Sequence, residues 1–176
     1  MAMTNAATTR TIVLVRHAKA EHTFGKADRD RDLTPRGRRD AKAGGEWLHD
    51  LGLVADVALC SISERTRQTW EELQFGGAVA AETRPEEAIY FGGSRGVLAL
   101  VRDLDPDVAT VFVVGHAPAM PDVTSLLSSG EGSTTAHEAL AHGYPTCGIA
   151  VMEYAGAWSD LAYGSCSLRR FHVARG

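Results

Sequence analysis

The sequence predicts an α/β protein of three layers, with helices on both faces of a mostly parallel central sheet. Two observations carry this. Ile12-Val13-Leu14-Val15 and Thr110-Val111-Phe112-Val113-Val114 are short runs of consecutive apolar residues, the pattern of strands buried on both faces. Strand-like and helix-like segments then alternate along the chain, which is the order of crossover units. With 176 residues and 44% hydrophobic content, one domain can bury a full core.

Bulk properties narrow the function classes. A net charge of −4 gives no electrostatic reason to expect nucleic acid. No apolar run approaches the ~20 residues that span a bilayer. Residues 1–10 are rich in Thr, Ala and Asn and lack an apolar signal core, so they read as a frayed tail before a single domain over 11–176. Cys60, Cys147 and Cys166 are odd in number and widely spaced, which argues against a disulfide framework. The expectation is a cytoplasmic, reduced protein without a cofactor.

The first strand stops at Arg16-His17. A polar run from Glu21 to Asp32 follows and reads as a solvated loop that forms a rim over the strand end. Leu33-Thr34-Pro35-Arg36-Gly37 announces a helix, with Thr34 as N-cap and Pro35 at the first position. Ala41, Trp47, Leu48 and Leu51 are its expected inner face, and Gly52 its stop. Val54–Cys60 reads as a second strand ending at Ser61-Ile62-Ser63, and a helix from Glu64 to about Leu73 carries Arg65 in its first turn. Val79–Glu82 reads as a short strand, followed by the Ile89-Tyr90-Phe91 run. Ser94 is the expected cap of a helix that buries Val97, Leu98, Val101 and Leu104. The second strong strand ends at Gly115-His116-Ala117-Pro118, and a helix through Val123 and Leu127 follows. Residues 128–142 read as loop or weak helix. Cys147–Tyr154 and Ser165–Val173 are the last strands.

Two apolar strands about a hundred residues apart thus end at a histidine. In an open α/β sheet, ligands bind beyond the carboxyl ends of strands. Arg16 offers a permanently charged fork of donors, and His17 a nitrogen able to act as a nucleophile. A cation beside a nucleophilic imidazole suits attack on phosphorus. Gly115 permits close approach of the backbone. The Ser61-Ile62-Ser63 turn at a helix start is a favourable place for an anion, and Ser61 is a candidate substrate contact. Taken alone, Arg65 reads as a surface arginine paired with Glu72 or another acid. A zinc site lacks a third ligand at suitable spacing: His17 and His22, like His137 and His142, are five residues apart and share no helical face. Cys60 lacks the glycines of a cysteine-phosphatase loop, and Ser61 lacks a Gly-x-Ser-x-Gly elbow.

These residues resemble the histidine phosphatase superfamily, with its phosphoglycerate mutase-like fold. Leu14-Val15-Arg16-His17-Ala18-Lys19 is similar to its Arg-His signature in the form used by the short bacterial phosphohistidine phosphatase (SixA-type) branch. Asp32-Leu33-Thr34-Pro35-Arg36-Gly37 resembles the segment that follows. Ser61–Thr69 resembles the segment that carries a second pocket arginine, here Arg65. Val114–Pro118 resembles the segment of the second histidine, here His116. Tyr144-Pro145-Thr146 through Trp158 to Phe171 is also similar to this branch. The resemblance implies that His17 attacks phosphorus to form a phosphohistidine that water hydrolyses. It also implies that Arg16, Arg65 and a protonated His116 surround the phosphoryl oxygens, with no metal or other cofactor. The other nitrogen of His17 then needs a fixed acceptor, such as a backbone carbonyl, to select the tautomer.

One departure bears on the substrate. Larger members protonate the leaving alcohol with a carboxylic acid placed between the second arginine and the second histidine. That interval offers Glu82, Glu86 and Glu87 here, but the expected place reads Tyr90-Phe91-Gly92-Gly93. A phosphoramidate leaving group is protonated more readily, so the expected partner is a protein carrying phosphohistidine. The alternatives are a small phosphorylated molecule, or a non-catalytic module that binds a phosphorylated partner.

Overall fold

The structure is a computed structural model that describes residues 8–22 and 24–176. Its strands are β1 (Thr9–Arg16), β2 (Val54–Ser61), β3 (Val79–Glu86), β4 (Thr110–Gly115), β5 (Ser128–Gly132), β6 (Gly148–Ala155) and β7 (Cys166–Val173). Its helices are α1 (Pro35–Asp50), α2 (Glu64–Phe75), α3 (Glu87–Phe91), α4 (Gly93–Arg102), α5 (Ala119–Leu127) and α6 (Thr134–Ala141). The strands form one sheet in the order β3-β2-β4-β1-β6-β7-β5. β3, β2, β4 and β1 run parallel, β6 is antiparallel to both its neighbours, and β5 is parallel to β7. Among the described residues no helix is long and apolar enough to cross a membrane.

The two apolar runs lie side by side at the centre. Val15 pairs with Val114 and Arg16 with Gly115, so the register of β1 on β4 puts the next residues, His17 and His116, at one point beyond the sheet. Side chains alternate across the sheet. Ile12, Leu14, Val111 and Val113 face a core that includes Val97, Val101, Met120 and Val123 of α4 and α5. Val13, Val15, Phe112 and Val114 face a second core with Leu48, Trp70 and Leu73 of α1 and α2. Every one of these eight strand residues is fully buried, which is why the runs show no alternation. Each such burial contributes about 1.5–3 kcal/mol.

Several expectations are corrected. β1 begins at Thr9, so residues 9 and 10 are not tail, and Arg10 is buried; residues 1–7 lie outside the described residues. The inner face of α1 is built of Gly37, Asp40, Ala41, Gly44, Gly45 and Leu48, while Leu51 is exposed at its end. Small residues let α1 approach α2 closely. β3 continues through Pro85 to Glu86, which an edge strand tolerates because its outer side needs no N–H partner. Ser94 lies inside α4, whose N-cap is Gly92 with no side-chain cap. Residues 128–141 hold β5 and α6, and Ser133 caps α6 by accepting from the Ala136 N–H.

Candidate active site

The strand tip is held from four directions. The His17 N–H donates to the Gly115 carbonyl at 2.9 Å, continuing the parallel ladder by one residue. The Ala18 N–H donates to Thr69 Oγ1 of α2 at 3.0 Å. The Lys19 carbonyl accepts from the Thr34 N–H at 2.9 Å, and α1 starts so close behind it that a Cβ on Gly37 would lie 2.2 Å from that oxygen. From the antiparallel side, the Cys147 N–H reaches the carbonyls of Arg16 and His17 at 3.1 and 3.2 Å, and the Tyr144 hydroxyl donates to the Leu14 carbonyl at 2.6 Å. Cys147 adopts φ 60°, a left-handed conformation uncommon outside glycine, at this crossing.

His17 Nδ1 lies 2.8 Å from the Ala18 carbonyl oxygen. A carbonyl only accepts, so Nδ1 carries the proton and Nε2 keeps its lone pair. Burial first, then the charges of His116, Arg65 and Arg16, push the imidazole down to about 3 against the opposing Ala18 bond. It is neutral at physiological pH, as a nucleophile must be. The His116 ring stands 5.4 Å from it, centre to centre.

Arg65 approaches from the first turn of α2. It is buried, not a surface residue, and it does not pair with Glu72, which Arg38 holds. Its Nη1 donates to the Asp28 carbonyl at 2.6 Å, and its Nη2 to Asp28 Oδ2 at 3.1 Å and His116 Nδ1 at 3.3 Å. Arginine has no lone pair to offer, so His116 Nδ1 is the acceptor. The His116 proton therefore sits on Nε2, which donates to Ser61 Oγ at 2.7 Å. Burial and then the charge of Arg65 push His116 down to about 4. The Asp28 carboxylate pulls the other way but does not outweigh them, so the imidazole rests neutral. Arg16 donates through Nη1 to the Tyr144 carbonyl at 2.7 Å. The Nε atoms of Arg16 and Arg65 are buried and have no hydrogen-bond partner.

The site thus brings together His17, Arg16, Arg65, His116 and Ser61. Glu82, Glu86 and Glu87 are not brought to it. Glu82 is exposed and paired with Arg84, and neither Glu86 nor Glu87 hydrogen-bonds or ion-pairs with the two histidines or two arginines. The carboxylate that does reach the site is Asp28, in the 3-10 turn Asp28–Asp30 of the rim loop, and sequence reading missed it among five alternating charges. Tyr90 was missed as well: its hydroxyl donates to Asp28 Oδ2 at 3.0 Å and its ring meets the edge of His116. Burial works against the Asp28 charge, but hydrogen bonds from Arg31, Tyr90 and Arg65 outweigh it and hold the carboxyl at about 2. Arg36 and Arg38 pair with Asp40 and Glu72, which leaves them outside the site. Clefts of about 370 and 540 Å³ flank the centre, one lined by Tyr90, Ser94, His116 and Asp122, the other by Ser61, Trp70, Arg29 and Pro85. No three His, Cys, Asp or Glu side chains among the described residues are grouped to hold a metal ion.

Comparison with known proteins agrees with this geometry. Residues 12–90 match the family model of the histidine phosphatase superfamily (branch 1). An uncharacterized protein of Mycobacterium tuberculosis is 36% identical over 162 residues, covering 92% of this chain and all of that protein. The solved structure of a provisionally assigned phosphohistidine phosphatase SixA from Nakamurella multipartitia superposes with a TM-score of 0.83 at 35% identity, over 97% of this chain and 99% of that one. A tungstate complex of the protein histidine phosphatase SixA shares the fold, with a TM-score of 0.73 at 21% identity over 93% and 96% of the two chains. The chain belongs to the histidine phosphatase superfamily. Its class is that of phosphatases, and its phosphoglycerate mutase-like fold is that of the SixA structures.

Proposed function

We propose that the protein is a metal-independent phosphatase that works through a phosphohistidine on His17, with phosphohistidine in a protein as its substrate. One observation carries this: a neutral His17 with a free Nε2 lies within the field of two arginines, Arg16 and Arg65, whose buried Nε–H groups have no partner. Unpaired buried donors are costly unless a ligand satisfies them, and the three non-bridging oxygens of a phosphoryl group are suited to do so.

In the first step the Nε2 lone pair forms a bond to phosphorus while the bond to the leaving group breaks, and that electron pair departs with the leaving group. His17 retains its Nδ1 proton, so the phosphorylated ring is cationic and the Ala18 carbonyl stabilises it. In the second step water attacks phosphorus, the P–Nε2 bond breaks, and the water proton leaves with phosphate or solvent. Arg16 and Arg65 supply fixed charge to the phosphoryl oxygens. His116, neutral at rest, gains basicity as the anion arrives, so it joins them by taking up a proton. Phosphoryl transfer depends chiefly on such positioning and charge.

A phosphomonoesterase reading needs a protonated acid for the leaving alcohol. Glu82, Glu86 and Glu87 form no hydrogen bond or ion pair with His17, His116, Arg16 or Arg65, and Asp28 is held ionised. A leaving imidazole suits this inventory better. Three buried free cysteines fit the reducing cytoplasmic setting expected for such an enzyme. Turnover of 4-nitrophenyl phosphate in EDTA, wild type beside His17→Ala, is the test. Its activated leaving group needs no acid. Turnover by wild type alone is the expected result. Equal activity in the variant moves the nucleophile elsewhere, and loss in EDTA restored by zinc overturns the metal-independent mechanism.

A further inference from the structure

The resting hydrogen bonds of Asp28 suggest a role in choosing the leaving group. Three elements fix this carboxylate at the rim: Arg31 of its own loop at Oδ1, and Arg65 of α2 and Tyr90 of α3 at Oδ2. The Asp28 carbonyl is also tied, to Arg65 Nη1 at 2.6 Å. His116 at the end of β4 is the remaining titratable group it faces, through Arg65 Nη2, which both contact. The side chain is nevertheless 56% exposed. A carboxylate accepts about four hydrogen bonds, so one accepting position remains toward solvent at the mouth of the site.

We propose that Asp28 is a specificity-determining residue that receives the distal N–H of a protonated N-phosphoimidazole, so that the leaving group departs as neutral imidazole. The proposal rests on the phosphatase reading above. An N-phosphoimidazole protonated at its far nitrogen already carries the proton its leaving group needs. When His17 attacks, the P–N bond breaks, the electron pair returns to the ring, and neutral imidazole leaves with its N–H intact. No acid donates in that step. What the step needs is an anion that favours the imidazolium form of the substrate.

Charge balance points the same way. In the resting site Arg65 serves Asp28. A bound phosphoryl dianion draws on the same guanidinium and leaves the carboxylate beside a second negative group. A leaving alcohol adds no charge to offset this, whereas an imidazolium supplies a cation next to the carboxylate. Asp28 thereby disfavours phosphomonoesters and favours phosphoramidates of imidazole.

The test compares a peptide carrying N-phosphohistidine with 4-nitrophenyl phosphate for wild type, Asp28→Asn and Asp28→Glu. Because Asp28 also holds Arg65, Asp28→Asn lowers activity on both substrates. The expected signature is an additional loss on the peptide, its kcat/KM falling at least tenfold further than that for the aryl phosphate. Asp28→Glu, which keeps the charge, restores part of that ratio. In wild type, kcat on the peptide falls as pH rises through the ionisation of the bound substrate's imidazole, and in Asp28→Asn this fall moves to lower pH. Equal losses on both substrates, with no movement of the profile, reduce Asp28 to a support for Arg65 and overturn the proposal. Wild-type turnover of the aryl phosphate but not of the peptide overturns it and the phosphohistidine substrate, while leaving a metal-independent phosphatase that works through His17. Turnover of neither substrate overturns both.

Discussion

The proton placement and charge state of His17 come from one local contact and several distant ones. The Nδ1 proton goes to the carbonyl of the very next residue, which frees Nε2, while Arg65, His116 and the surrounding burial keep the ring neutral. Arg65 has the more demanding position, because a single guanidinium spans the Asp28 carbonyl, the Asp28 carboxylate and His116. Lysine carries the same charge but only one nitrogen, which cannot reach all three. Arg65→Ala is therefore expected to lose on the order of 10²-fold or more in kcat, as for loss of one preorganised donor. Arg65→Lys should recover little of it. Steady-state kinetics on 4-nitrophenyl phosphate decide this, and a loss under about threefold would place Arg65 outside the reaction.

At the level of elements, β1 does more than carry His17 to the strand tip. Its second residue, Arg10, lies against the Trp158 ring at 5.2 Å. It donates to the carbonyls of Pro106 and Gly156 at 2.8 and 2.7 Å, and also to that of Val108. It thereby ties the start of β1 to the loop before β4 and the turn after β6, the two strands that flank β1 in the sheet. Arg10→Ala leaves the half-buried Pro106 and Gly156 carbonyls without this donor, while Trp158 still serves Val108, and is expected to cost about 1–3 kcal/mol. Thermal unfolding should show a Tm lower by at least several degrees. An unchanged Tm would mean that residues up to 10 are dispensable, as their composition suggests. Arg10 was illegible in the sequence because nothing local distinguishes an arginine that is exposed from one that crosses to carbonyls about a hundred residues away.

Across the whole molecule, the site is maintained against its own stability. His17 and His116 are held at about 3 and about 4 in the folded protein, below the ordinary 6.5, and burial lowers His172 too. Between pH 6.5 and about 4 the unfolded chain binds protons at these positions that the folded chain does not. Stability is thus fully present above pH 6.5 and falls as pH drops through that window. Asp28, held at about 2 against 3.8, adds a loss of the same sign below pH 3.8. Tm followed from pH 7 to pH 4 should decline, and the decline should flatten in a His17→Gln, His116→Gln double variant. An equally steep decline in that variant would assign the acid sensitivity to other groups.

What the sequence by itself determined is the framework: two buried strands ending at Arg16-His17 and Gly115-His116, the Thr34 cap of α1, and the Ser61–Arg65 turn into α2. These were legible because burial on both faces and helix capping leave local patterns, and because Arg-His with three further segments in order is specific to one superfamily. Only the tertiary structure decided which charges gather around the two histidines. It brought Asp28 to the guanidinium that also holds His116, joined Asp28 to Tyr90 across 62 residues, and set Arg16 on the Tyr144 carbonyl across 128. It also set the protons on His17 and His116. The physical reason is that a side chain's partners, and hence its charge state, follow from strand order and register, which bring together residues that no local pattern connects.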